Sequence, residues 1–400
     1  MKLLTIISSQ LVIAVLLSAP MLGRAAEIDS SALRAVVTLQ AIRGHQAELQ
    51  AIANANGGNR AEGTSGFNAS LDYVADQLFA AGYAVTIESF DTTANLIAEL
   101  PGSDDRLVIV GAHLDSVSSG PGIQDNGSGS AAILEIALQM KALNIESVNR
   151  VRFVWWSGEE TSSHGVLSHV LNMSMSEREA ALYLNFDMIG SPNFVRFVYD
   201  GDSSDSVTVN PAGSEKIEAV FLDYFAGQGL ATKATDFSEH QALPIFRIAG
   251  IPVGGLFAGA FAIKTTDEAA IFGGTAGDQH DPCHHLACDT FANVSLEVLD
   301  QFSDAAAHAV LYFALTSIVE ERLADLISTV SGLVIPSKDG LSAKLDAALT
   351  AVEAGNERAA MNILRAFINQ VEAKRRSGGL SNAEADALVA TAQIIIDSLS

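Results

Sequence analysis

Basic residues are scarce in this sequence: 23 Lys and Arg stand against 47 Asp and Glu, a net charge of −24. So acidic a chain is repelled by nucleic acid and by anionic lipid, which argues against both as partners. Long apolar runs are also missing after the first residues. No segment beyond residue 25 keeps the unbroken run of about 20 apolar residues that a membrane span requires. Cysteine is nearly absent. Cys283 and Cys288 stand alone, in Asp281-Pro-Cys-His-His-Leu-Ala-Cys-Asp, and leave room for one disulfide or one pair of zinc thiolates. In an exported chain the bridge is the expected state.

What is present begins with an export signal. Lys2 precedes a mostly apolar stretch from Leu3 to Leu17, and Gly23-Arg24-Ala25 has the small residues of a cleavage site. The mature chain is therefore expected to start near Ala26, secreted or periplasmic and without a membrane span. Losing Lys2 and Arg24 would take its charge to about −26. The 400 residues are 48% hydrophobic, enough for one large domain, placed at 26–316, and a smaller one at 317–400.

The large domain is organised around residues 107–132. Leu107 to Val110 read as a buried parallel strand. His113 and Asp115 follow at its C-terminal mouth, where α/β sheets carry ligands. A Gly- and Ser-rich loop then brings Asp125, and helical spacing begins at Gly127. Asp and Asn turns alone would also produce such a loop.

Before this unit, residues 30–55 and 67–82 read as amphipathic helices, residues 83–87 and 95–100 as strands, and Pro101 to Asp105 as a turn. After it, Val151 to Ser157 is a buried strand ending in Gly158-Glu159-Glu160. Adjacent carboxylates at a strand mouth repel, and a metal or a shared proton would relieve them; a helix N-terminus would also favour them. Leu182 to Phe186 is a strand closed by Asp187. Residues 194–199 and part of 246–257 complete the strands, and residues 213–226 and 295–318 the helices. The alternation predicts an α/β fold, a mostly parallel central sheet flanked by helices. His113, Asp125, Glu159, Glu160 and Asp187 would then gather at one edge.

Imidazole and carboxylate donors without thiolate suit catalytic Zn²⁺. Two ions about 3.5–4 Å apart would need a bridging carboxylate and would acidify a water between them. Another carboxylate would then move its proton to the leaving group.

Gly111-Ala-His-Leu-Asp-Ser, Asp125-Asn-Gly-Ser-Gly, Trp156-Ser-Gly-Glu-Glu, Asn185-Phe-Asp-Met-Ile-Gly and Asp281-Pro-Cys-His-His resemble, in order, the motifs of secreted bacterial di-zinc aminopeptidases of family M28. The likeness implies a zinc-exopeptidase fold and the release of residues from free peptide N-termini. Carried over motif by motif, His113 and Asp187 would bind one zinc, Glu160 and His285 the other, and Asp125 would bridge them. Glu159 would be the general base, and Asp115 would orient His113. The family motif reads Cys-Tyr-His where this chain has Cys283-His284-His285. His284 thus replaces a tyrosine that stabilises an oxyanion in the family.

The substrate-binding segment before the last strand also departs, with either His240-Gln-Ala-Leu or Ser238-Glu-His240 in its place. A different hydrolytic specificity, or a scaffold with weakened catalysis, are the competing readings. Asp300 and Asp304, at i and i+4, suit either a Ca²⁺ site, as in some relatives, or an exposed acidic face. His45, His164, His169, His280 and His308 read as surface or packing residues.

Beyond residue 317, apolar residues recur at three and four through 341–352, 357–373 and 382–399, which predicts a helical bundle. Phe367-Ile-Asn-Gln-Val-Glu-Ala resembles a helical, FIMAH-like module appended to other secreted bacterial hydrolases. Attachment and passive capping are its two readings.

Overall fold

A computed structural model describes residues 28–205, 209–237, 242–335 and 338–399. The leader expected over 1–25 and the segment Ser238 to Gln241 lie outside them. The chain divides into two compact units, Ile28–Ser317 and residues 318–399.

The first unit opens with α1 (Ser31–Val36) and α2 (Leu39–Ala55), not the single helix expected over 30–55. Thr38 breaks the run: its backbone is extended and its hydroxyl accepts a hydrogen bond from the Ala41 amide, as an N-cap does. Next come α3 (Ser65–Ala80), β1 (Ala84–Phe90), β2 (Thr93–Leu100) and β3 (Gly102–His113). The turn expected at Pro101 to Asp105 is instead the start of β3. A register shift between Asp104 and Leu107 absorbs its irregularity.

The remaining elements of this unit are α4 (Gly127–Ala142), β4 (Ser147–Trp156), α5 (His164–Asn172), α6 (Met175–Ala180), β5 (Ala181–Phe186), β6 (Phe197–Tyr199), α7 (Ser214–Gly227), β7 (Lys233–Thr235), α8 (Ala242–Ile248), β8 (Val253–Phe257), α9 (Thr266–Phe272) and α10 (Leu296–Leu315).

The eight strands form one sheet in the order β1-β2-β4-β3-β5-β8-β6-β7. Its central run β4-β3-β5-β8 is parallel. The antiparallel pairs β1–β2, β2–β4 and β6–β8 lie outboard. Alternate residues of β3 face opposite sides: Val108, Val110 and Ala112 enter one apolar core, and Leu107 and Ile109 the other. The first core packs under α2, α3, α4, α7 and α10, the second under α5, α8 and α9. A sheet buried on both faces explains why β5 is buried at every residue. Because β3, β4 and β5 are parallel neighbours, their C-terminal ends open on the same edge.

The second unit consists of α11 (Ile318–Gly332), α12 (Asp339–Glu353), α13 (Glu357–Arg376) and α14 (Asn382–Ser398). Leu323, Leu345, Leu364, Phe367, Val371 and Leu388 are among its core residues. No single described helix is long and apolar enough to cross a membrane.

Candidate metal centre

His113 is the last residue of β3. Glu159 and Glu160 follow β4, Asp187 follows β5, and Asp125 stands two residues before α4. The loop between α9 and α10 supplies His284 and His285. The imidazoles of His113, His284 and His285 converge on Asp125. Its Oδ1 lies 3.1 Å from His113 Nε2, and its Oδ2 lies 2.9 Å from His284 Nε2 and 3.3 Å from His285 Nε2. Asp187 Oδ1 is 3.4 Å from His113 Nε2, and Glu160 Oε2 is 2.9 Å from His285 Nε2. Two donor groups emerge, His113–Asp125–Asp187 and Asp125–His284–His285, the atoms of each within 4.8 Å of one another. Asp125 belongs to both.

Local backbone chemistry holds these groups in place. The Asp115 carboxylate accepts hydrogen bonds from the Glu159 and Glu160 amides, at 3.3 and 3.2 Å. It thus fixes the turn that the sequence allowed to be a helix N-terminus; α5 starts only at His164. His113 Nδ1 lies 3.0 Å from the backbone carbonyl of Asp115 and 3.6 Å from its carboxylate. Gly158 supplies the positive φ of 72° that lets β4 turn into the glutamates.

Asn126 follows Asp125 through a cis peptide bond. Its Oδ1 accepts hydrogen bonds from the Gly129 and Met188 amides, while its Nδ2 donates to the Phe186 carbonyl. The start of α4 is thereby tied to the end of β5, where Asp187 sits. A Cβ at Gly129 would lie 2.0 Å from the Phe186 carbonyl oxygen, so only glycine permits this approach.

Two supporting residues carry no motif in the sequence. Arg60 is fully buried and donates to the carbonyls of Leu114, Pro121 and Gly122, shaping the loop that leads from β3 to Asp125. Asp289 accepts from the Gln124 and Asp125 amides at 2.8 and 3.0 Å. Both lie in polar loops, where composition gives no periodic signal. The Cys283–Cys288 disulfide is formed; it closes the loop carrying His284 and His285, and Ser119 donates to the His285 carbonyl.

The donor chemistry fits a metal. Glu160 Oε1 is buried with no hydrogen-bond partner among the described residues. Protein charges alone leave the centre strained toward protonation. Burial, with Asp187, Asp115 and Asp125 nearby, pushes Glu159 up to about 7. Burial and Asp125 push Glu160 up to about 8. Asp125 and Glu160 raise His285 to about 10. Burial opposes a charged His113 ring, yet Asp187, Asp115 and Asp125 together hold its pKa well above the usual value. A divalent cation would satisfy the same carboxylates without those protons.

Of the other histidines, His45, His169 and His280 are buried. Tyr73 and Glu135 engage His45, and Glu88 engages His169. At Asp300 and Asp304 a cation would have to displace Arg34, whose guanidinium lies 3.5 Å from Asp304 Oδ2.

The family model described as peptidase family M28 matches residues 95–310, which include all the donors above. Leupeptin-inactivating enzyme 1 of Streptomyces exfoliatus is 43% identical over 281 residues, 68% of this chain and 61% of that protein. An aminopeptidase of Pseudomonas aeruginosa is 45% identical over 236 residues, 58% of this chain and 44% of that protein. The chain thus spans less than two thirds of the length of either relative. An aminopeptidase structure from Aneurinibacillus sp. strain AM-1 aligns with TM-score 0.58 at 14% identity, covering 72% of this chain and 97% of that one. A glutaminyl cyclase from Porphyromonas gingivalis aligns with TM-score 0.53 at 18% identity, covering 68% of this chain and 97% of that one. At such identities the structural likeness is one of fold.

Proposed function

The chain belongs to peptidase family M28, and from that premise we propose that it is an exported di-zinc exopeptidase acting on peptides with a free N-terminus. The observation that carries the reading is the pair of donor groups sharing Asp125. His113 and Asp187 would hold one ion, Glu160 and His285 the other, with Asp125 between them. When bound, such ions polarise a carbonyl and lower the pKa of a water held beside them.

The protein's part is positional. Glu159 is buried on the turn clamped by Asp115. As general base it takes the proton of the attacking water and returns it to the nitrogen of the departing peptide. The substrate's free α-amine would meet the carboxylates of the centre, which is why a blocked N-terminus would not be accepted.

Replacing Glu159 with Ala is expected to leave zinc bound and to lower kcat by about 10²–10⁴. Full activity in that variant refutes the assignment.

Export is part of the proposal: cleavage near Ala26 would deliver the chain to an oxidising compartment that suits Cys283–Cys288. N-terminal sequencing of exported protein tests it. Calcium at Asp300 and Asp304 is not needed by this reading. The helical unit of residues 318–399 would serve attachment or capping; the family match ends before it. A second reading, altered specificity on the same centre, is favoured by His284 in place of the family's tyrosine. Comparing free-amine with N-blocked peptides separates the two.

A further inference from the structure

The two consecutive histidines do not behave as a ligand and its neighbour. His284 Nε2 lies closer to Asp125 Oδ2, at 2.9 Å, than His285 Nε2 does, at 3.3 Å. Adjacent side chains in extended backbone point to opposite sides. Here His285 sits in the left-handed region, φ 61°, within the loop closed by Cys283–Cys288. Both rings thereby face one carboxylate, their centroids 3.9 Å apart. Phe261 packs 4.0 Å from the His284 ring, and the His284 side chain is only 8% exposed, against 41% for His285. The imidazole is thus held inward with its Nε2 among the other donor atoms.

Tyrosine at this position would bring a phenol, protonated near neutral pH and suited to donating a hydrogen bond. An imidazole brings a nitrogen that zinc binds well.

We propose that His284 is itself a zinc ligand. The proposal rests on the di-zinc reading and changes its symmetry. One ion then has three protein donors, His113, Asp187 and Asp125. The other has four: Asp125, Glu160, His285 and His284. Three donors are the mark of a catalytic zinc with an open position; four close the tetrahedral shell of a structural one. The family's tyrosine function is then not replaced by histidine but given up, and the centre becomes one catalytic ion beside one tightly held ion.

The test uses the full mature chain, stripped by chelation and titrated with Zn²⁺ against a chromophoric chelator. The wild type is compared with His284→Ala and with His284→Tyr, which refills the space beside Phe261. Both variants are expected to lose at least about 10–100-fold in affinity at the tighter site. Zinc X-ray absorption on the wild type needs no variant and is expected to count three imidazoles per pair of ions. Unchanged zinc affinity in both variants, or two imidazoles per pair, would overturn the assignment even if turnover falls. A wild-type chain that binds no zinc would instead remove the di-zinc reading, and this proposal with it.

Discussion

Arg60 offers the sharpest test of how the centre is supported. It is wholly buried, and burial lowers its pKa only to about 10, so it is charged at neutral pH. Its guanidinium serves three carbonyls. Gly122 also accepts from the Gly127 amide and would stay bonded without it; Leu114 and Pro121 take their bonds from Arg60. Substituting Met keeps most of the hydrocarbon stem and orphans two buried acceptors. At about 1–3 kcal/mol each, Arg60→Met should cost about 2–6 kcal/mol, a large share of an ordinary domain's margin. Urea unfolding of the zinc-loaded chain followed by tryptophan fluorescence reads this well, since Trp155 and Trp156 lie at the end of β4. Zinc affinity should fall with it, because the loop that Arg60 shapes carries Asp125. A loss under about 1 kcal/mol with an unchanged slope and unchanged zinc affinity would refute the argument that Arg60 holds that loop.

Asp289→Ala removes the acceptor for the Gln124 and Asp125 amides and should weaken zinc binding by about 10–100-fold, read by the same chelator competition; an unaltered affinity would show that Asn126 and Arg60 position Asp125 without it. Replacing Cys283 and Cys288 together with Ser opens a short loop and should cost about 2 kcal/mol, with looser zinc binding through His284 and His285; thermal melts with and without zinc check both. His308 is depressed to about 4, chiefly by burial and secondarily by Arg34. Its folded pKa lies below the unfolded value, so the unfolded chain binds the extra proton between about pH 6.5 and 4. Stability therefore falls as pH drops through that window. His308→Gln should lose less than wild type between pH 7 and 4.5, and parallel urea midpoints would contradict the sign.

The strands that carry the centre were legible because each joins an apolar run to a polar mouth. Leu107 to His113, Val151 to Glu160 and Leu182 to Asp187 all show that junction. Once three such strands are parallel neighbours, their mouths must share an edge. Elements outside that pattern were hidden. The break at Thr38 depends on one capping hydroxyl inside a run whose apolar spacing continues across it. The strand start at Gly102 lies in residues whose turn chemistry outweighs their pairing. The short helices α5, α8 and α9 are too brief for a periodic signal and are held by the second core.

The centre itself shows the same division. Which residue types are present could be read from the motifs, but the partner each one meets depends on backbone geometry that the motifs do not encode. Asp115 was expected to orient His113; its carboxylate lies 3.6 Å from His113 Nδ1 and also clamps the Glu159–Glu160 turn, while its backbone carbonyl faces the imidazole. His284 was read as replacing a tyrosine that stabilises an oxyanion in the family. The left-handed backbone at His285 turns it toward Asp125. On the proposed assignment, a single change of side chain in a loop closed by a disulfide would move from the substrate's surroundings to the metal's. The reason is geometric: a phenol and an imidazole at one position carry their polar atoms to different depths, and Asp125 lies within reach of the imidazole.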